Sequence, residues 1–222
     1  MEIYSSVISF FQDGGVFMYP IVIVFALGAA IAIERWVYLT RATLTSKSLW
    51  KQVVPYLRAG KFNEAVSMTS KSKAAVATVL GYGLKRSATA NRRDDIEKAM
   101  EESLMEVMPR LEKRTHYLAT FANIATLLGL LGTIIGLIRA FTAVSGANPA
   151  EKADLLSASI SVAMNTTAFG LMVAIPLLLL HTLLQTKTTE LMDSLEMASV
   201  KFLNTVFDVR GAKQQPAQGK PA

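Results

Sequence analysis

Three long apolar runs, over residues 17–39, 117–143 and 156–184, are separated by polar, charge-rich sequence. At 1.5 Å per residue, each run makes a helix long enough to cross ~30 Å of hydrocarbon. The pattern predicts an all-α membrane protein with three transmembrane helices, and three crossings put the chain ends on opposite sides. Between residues 40 and 116 the period changes. SLWKQVVPYLRAGKFNEAVSMTSK reads as two short amphipathic helices separated by Gly60, while Ile96, Met100, Leu104, Met108 and Leu111 recur at steps of three or four. That stripe runs into the second span with only Pro109 to interrupt it. If Pro109 kinks the helix without ending it, one helix runs from about residue 94 to 143, ~75 Å, and about half of it stands clear of the bilayer.

The remaining segments follow from the same reading. In residues 1–16, Ile3, Val7, Ile8, Phe10 and Phe11 suit a short helix at the membrane surface, stopped by Gly14 and Gly15; a disordered leader is the alternative. This segment has no Lys or Arg, so it lacks the basic start of a cleavable signal peptide, and the first span is expected to be retained. The connection 144–155 is short and holds Gly146, Asn148 and Pro149, which makes the second and third spans an antiparallel pair. Residues 185–210 continue as a helix, and the polar tail 211–222 reads as disordered.

Composition agrees: of 222 residues, 51% are hydrophobic, and the mean hydropathy is +0.35. A net charge of +6 would suggest nucleic acid in a soluble protein, but the basic residues sit beside the spans. Residues 40–116 hold 15 Lys/Arg against 8 Asp/Glu, and the loop 145–154 holds only Lys152. The positive-inside rule makes 40–116 a cytoplasmic helical domain, with the N-terminus outside and the C-terminus inside. Membrane lipid is the expected surroundings and nucleic acid is not an expected partner. The chain has no cysteine, which excludes disulfides and thiolate metal sites. No P-loop, dinucleotide glycine pattern or His/acid metal spacing occurs, so neither an enzyme nor a resident metal is expected.

The candidate chemistry lies in the second and third spans. Gly129, Gly132 and Gly136 form a small-residue stripe that lets helix backbones approach in lipid. Thr126 and Thr133 are seven residues apart on one side of the second span, with Asn123 a turn below. In the third span, AMNTTAFG places Asn165, Thr166 and Thr167 together. Thr133 is 16 residues from Tyr117 and Thr167 is 17 from Leu184, so both stand ~25 Å above the inner boundary. A membrane threonine usually bonds back to its own helix, but polar groups at this depth are costly unless they face a bundle interior or water. Their hydroxyls can offer lone pairs to a cation or hold a water chain. The only charged side chain in either span is Arg139, whose default is to snorkel outward. Ion conduction through this chain would therefore need a carboxylate from a partner.

Other polar residues have simpler readings. Glu34, Arg35, Trp36 and Tyr38 close the first span as a charged stop with an aromatic belt; an ion pair with a neighbouring subunit is the sharper alternative. Pro20 and Pro176 are expected to kink their spans. His116 and His181 both sit near an inner end. The run Glu97, Glu101, Glu102, Glu106 beside Lys98, Arg110 and Lys113 reads as a solvated face with i,i+4 pairs, or as the lining of an ion exit.

ERWVYL (34–39), LLGLLGTIIGLIRAF (127–141) and TTAFGLMVAIP (166–176), in this order, resemble the ExbB/TolQ/MotA proton-channel family, nearest its three-span ExbB/TolQ branch. The resemblance covers roughly residues 15–205. It implies a ring of these subunits, usually five, around a dimer of an ExbD/TolR-like single-span protein whose transmembrane Asp is the protonatable group. Ion flow would then drive a TonB- or TolA-like protein, or an analogous load, from the bacterial inner membrane. By motif, Thr133 and Thr167 match the hydroxyl pair facing the partner's Asp, and Gly132 and Gly170 match close-packing glycines. Two positions depart from the family: Val162 replaces a Glu of the third span, and Thr126 replaces a Pro. The oxygens of Thr126, Thr133, Thr166 and Thr167 could then serve Na⁺ as well as H⁺, as in sodium-driven MotA-like stators. A non-conducting scaffold and a transporter are the alternatives from other classes; three spans offer the transporter no inverted repeat.

Overall fold

The computed structural model describes residues 14–90 and 92–214, and all regular structure among them is helical. The helices are α1 (Met18–Arg58), α2 (Phe62–Lys71), α3 (Ala75–Thr89), α4 (Arg93–Glu112), α5 (Thr115–Ser145) and α6 (Lys152–Gln214). The surface helix expected around residues 3–11 and most of the tail lie outside the described residues. Contacts divide the chain into two units, a span unit of residues 14–35 with 114–184 and a polar unit of 36–113 with 185–214.

Helix ends explain most differences from the sequence expectations. The helix of the first span runs on beyond residue 39: α1 is 41 residues long and takes in the first of the two amphipathic pieces, with Pro55 inside its last turns. It ends where Gly60 takes φ +69°, so that Lys61 N–H donates to Tyr56 O and Gly60 N–H to Leu57 O. This is a Schellman cap, whose left-handed position glycine occupies without a Cβ penalty. Pro109 lies inside α4, and the break falls later, at Arg114, the only described non-glycine residue with positive φ, at 66°. The single helix expected from about 94 to 143 is thus two. The connection 144–155 shrinks because α5 reaches Ser145 and α6 starts at Lys152. α6 continues through Pro176 and past residue 210, into the stretch read as a disordered tail.

Within the polar unit, α1, α3, α4 and α6 bury one apolar core, including Val53, Leu57, Leu80, Met100, Leu195 and Phe202. The α4 stripe faces this core through Ile96, Met100, Leu104 and Leu111; Val107 takes the place expected for Met108, which is exposed. α4 carries Asp94 and Asp95 in its first turn, where carboxylates complement the helix dipole. Of the acidic run, Glu106 pairs with Arg110 at 2.9 Å and accepts a hydrogen bond from the Tyr82 hydroxyl at 3.1 Å.

The span unit behaves differently. Three helices are long and apolar enough to cross a membrane, and only 22–28% of the most apolar stretch of each is buried. Ile33, Leu127, Ile138, Phe141, Met164 and Leu179 all face outward. In water such surfaces would drive association; here lipid or protein must cover them. This is a multi-pass membrane protein.

Candidate functional site

The site starts from backbone packing between α5 and α6. A Cβ at Gly129 would lie 3.2 Å from Thr167 Cα and 3.3 Å from Gly170 Cα, one at Gly136 2.7 Å from Ala163 Cβ, and one at Gly170 2.7 Å from Ala125 O. At Gly132 it would collide with the Thr166 methyl. The four expected packing glycines therefore all meet one partner helix, and small-residue packing replaces the hydrophobic drive that lipid removes. Ala125 and Ala163 belong to the same seam. A search for every small residue at four-residue steps would have included them.

This contact sets the register: Gly136 meets Ala163, and Gly129 lies between Thr167 and Gly170. In that register Thr133 stands opposite about residue 165, so Thr133 and Thr167 differ in height by only about two residues, ~3 Å. At 100° per residue, Thr126, Thr133 and Thr167 lie about 50–90° from the packed face of their helix, on the flank shared by the antiparallel pair. Asn165 does not join them. It precedes Thr167 by two residues and so lies about 200° away around α6, despite their adjacency in sequence. Its expected place beside the threonines is corrected by this geometry.

The hydroxyls carry out different tasks. Thr133 Oγ1 donates to Leu130 O at 2.6 Å and Thr126 Oγ1 to Ala122 O at 3.1 Å, both within α5. Thr167 Oγ1 donates across the hairpin to Gly129 O at 2.9 Å. Thr166, only 2% exposed, donates to Gly14 O at 2.6 Å, with Val162 O also within reach at 2.9 Å. Thr166 is therefore a structural clasp on residue 14, a role hidden from the sequence because the acceptor is a backbone carbonyl 152 residues away. Every one of these hydroxyl protons is committed to a carbonyl. What Thr126, Thr133 and Thr167 retain are lone pairs, which can accept a hydrogen bond from a carboxyl group or water, or approach a cation.

The opposite flank holds Arg139 and Val162, which with Gly14, Ser159 and Thr166 line an open hollow of about 200 Å³. Among the described residues no carboxylate lines it. At the other end of the span unit, Arg114 donates to both Glu34 oxygens at 2.7 and 2.9 Å. Glu34 thus has a partner within its own chain, and the pair holds the residue with the unusual backbone. Arg35 is buried. Trp36, within the polar unit, lies under the Lys187 ammonium, 3.6 Å from the ring centroid. This contact adds a cation–π interaction to the expected interfacial role. His116 and His181 come within 6.3 Å, ring centre to ring centre, and no group of three or more metal-ligating side chains occurs among the described residues.

Known proteins match this arrangement over most of the chain. The chain is 28% identical over 199 residues to an ExbB biopolymer transport homolog of Methanothermobacter thermautotrophicus, covering 89% of this chain and 69% of the relative. An ExbB-like biopolymer transport protein of Synechocystis is 30% identical over 191 residues, 82% of this chain and 72% of the relative. The Tol-Pal system protein TolQ of Haemophilus influenzae is 38% identical over a shorter stretch of 79 residues, 36% of this chain and 34% of the relative. The family model described as the MotA/TolQ/ExbB proton channel family matches residues 71–197, which take in α4, α5 and the glycine–threonine seam. The chain belongs to the MotA/TolQ/ExbB proton channel family.

Proposed function

We propose that this protein is the ring subunit of an ion-driven motor in the bacterial inner membrane. In this reading several copies, most simply five, surround a dimer of an ExbD/TolR-like single-span protein, and ion flow between them drives a TonB- or TolA-like protein or an analogous load. The N-terminus lies outside and residues 36–113 lie in the cytoplasm. One observation carries the reading: Thr126, Thr133 and Thr167 present unshared lone pairs along one flank of a glycine-packed hairpin whose two spans contain no carboxylate. A partner's Asp placed against that flank completes the pathway. Protonation lets it pass the apolar stretch as a neutral acid, and the threonine oxygens accept its O–H hydrogen bond.

Val162, 36% exposed where the family carries a Glu, removes a second protonation site from this chain. A sodium variant of the same reading stands beside the proton one: Thr133 and Thr167, about two residues apart in height, offer a hard cation two hydroxyl oxygens beside the carboxylate. The ions are separated by replacing external Na⁺ with choline while recording flux through the complex purified with its single-span partner. Unchanged flux assigns the work to H⁺ and sinks the sodium variant. Loss of flux in choline, restored by Na⁺, assigns it to Na⁺. A complex that assembles but passes neither ion leaves this protein as a scaffold.

A further inference from the structure

We propose that the polar unit carries a binding site for a phosphate group, in a hollow of about 180 Å³ lined by Ser46, Lys47, Trp50 and Lys51 of α1 and by Ser194 and Lys201 of α6. Ser46 supplies the first argument. A serine or threonine inside a helix normally bonds back to a carbonyl three or four residues earlier. Its helix neighbours do so: Thr43 donates to Leu39 O at 2.9 Å and Thr45 to Arg41 O at 2.7 Å. Ser46 is 3% exposed, and its buried Oγ has no hydrogen-bond partner among the described residues. A buried hydroxyl left unsatisfied costs about 1–3 kcal/mol unless something outside the chain reaches it.

Charge supplies the second, independent argument. Lys47 and Lys51 are one turn apart on one helix, where like charges repel, and Lys201 brings a third ammonium from α6. No carboxylate lines the hollow, and none of the three lysines forms an ion pair among the described residues. Three exposed lysines and a serine with an unsatisfied hydroxyl line one hollow without a compensating charge, which an oxyanion would supply, and lysine ammonium groups are ordinary point-charge ligands for one. The volume accommodates a phosphate with some of its hydration. The chemistry is shared by a phospholipid headgroup and free phosphate.

The test uses the full chain, delipidated in phosphate-free detergent or placed in nanodiscs, with acylation of individual lysines followed by mass spectrometry. Lys61 and Lys98, both exposed, are the controls. If the source is soluble, added inorganic phosphate slows acylation of Lys47, Lys51 and Lys201 together and leaves the controls alone. If the source is lipid, phosphatidylglycerol nanodiscs slow it and phosphate does not. In either case Ser46→Ala, a change of one atom in a helix, weakens the protection about tenfold, the factor expected for a lost hydrogen bond to a charged group. Lys201→Gln does likewise from the other helix. Equal acylation at all five lysines in every medium overturns the proposal. So does protection already complete in delipidated detergent and unmoved by either probe, the result that an acidic surface of a second copy would give. Protection that survives both substitutions overturns it too.

Discussion

The α5/α6 hairpin and the core around Phe202 bury helix faces by opposite means. In the hairpin, glycine backbones lie against the partner's backbone, and the large side chains point outward. In the polar unit, large side chains fill the interior: Phe202, Leu80, Ile96 and Met100 are all essentially inaccessible, and a Cβ at Gly83 would meet side chains, Met100 Sδ at 2.7 Å and Phe202 Cε1 at 2.8 Å, not backbone. The solvent explains the difference. Lipid is as apolar as leucine, so only close contact and interhelical hydrogen bonds reward helix pairing there. In water the burial of large apolar groups is itself the drive. A functional consequence follows in the hairpin: packing glycine on glycine leaves the flanking threonines at the edge of the contact, where their oxygens can meet another chain.

Substitution can break this comparison. Phe202→Ala removes the largest buried side chain of the polar unit and should cost about 3–5 kcal/mol. Both tryptophans, Trp36 and Trp50, belong to this unit, so thermal unfolding followed by their fluorescence reads the loss there. A smaller but sharper effect comes from paired glycine substitutions. Gly170→Ala sets a methyl group against Ala125 O and Gly129 Cα, which cannot move without parting the helices, and should destabilise the hairpin by about 1–3 kcal/mol. Gly83→Ala meets the Met100 and Phe202 side chains, which yield more readily than backbone, and it gains about 1 kcal/mol of helix propensity, so it should cost less than Gly170→Ala. The chain has no cysteine, so thiol labelling of Ala174→Cys, at a buried position of the hairpin, isolates opening of that unit. Faster labelling with Gly83→Ala than with Gly170→Ala would overturn the contrast.

The smallest effect is a titration in the polar unit. The Glu106 carboxylate accepts the Tyr82 hydrogen bond and, by charge as well, raises the Tyr82 pKa above its ordinary 10.0. Because the folded-state pKa is raised, the contact's contribution is present below pH ~10 and is lost as pH climbs through the higher folded value. The difference in phenolate absorbance between the chain and Tyr82→Phe should therefore titrate above 10, and Glu106→Gln should bring it back.

Much of this was legible in the sequence where one residue type has one use. Apolar runs of membrane length gave the spans, and the three- and four-residue steps of Ile96, Met100, Leu104 and Leu111 gave the core-facing side of α4. Gly129, Gly132, Gly136 and Gly170 gave the seam, because close backbone approach is the common reason for such a stripe. The break at Arg114 was hidden: nothing in an arginine signals a left-handed backbone, while Pro109, the local signal, sits inside the helix. The continuation of α1 to Arg58 was obscured because its polarity changes where its helicity does not. Asn165 was misplaced for want of a simple rotation, since residues two apart on a helix face nearly opposite ways. Thr166 and Ser46 owe their character to what does or does not reach their hydroxyls, which no spacing encodes.

In the proposed function, hydroxyl oxygens on one flank of the hairpin serve an ion pathway completed by a partner's acid. Thr133 is the cleanest probe, because its one hydrogen bond among the described residues is to its own helix, whereas Thr167 ties α6 to α5. The decisive measurement is ion flux through the complex of Thr133→Val with its single-span partner, reconstituted in liposomes and read with pH- and sodium-sensitive dyes. The account predicts an assembled complex whose flux falls about tenfold or more, the equivalent of ~1.4 kcal/mol. Undiminished flux through an assembled Thr133→Val complex would contradict it.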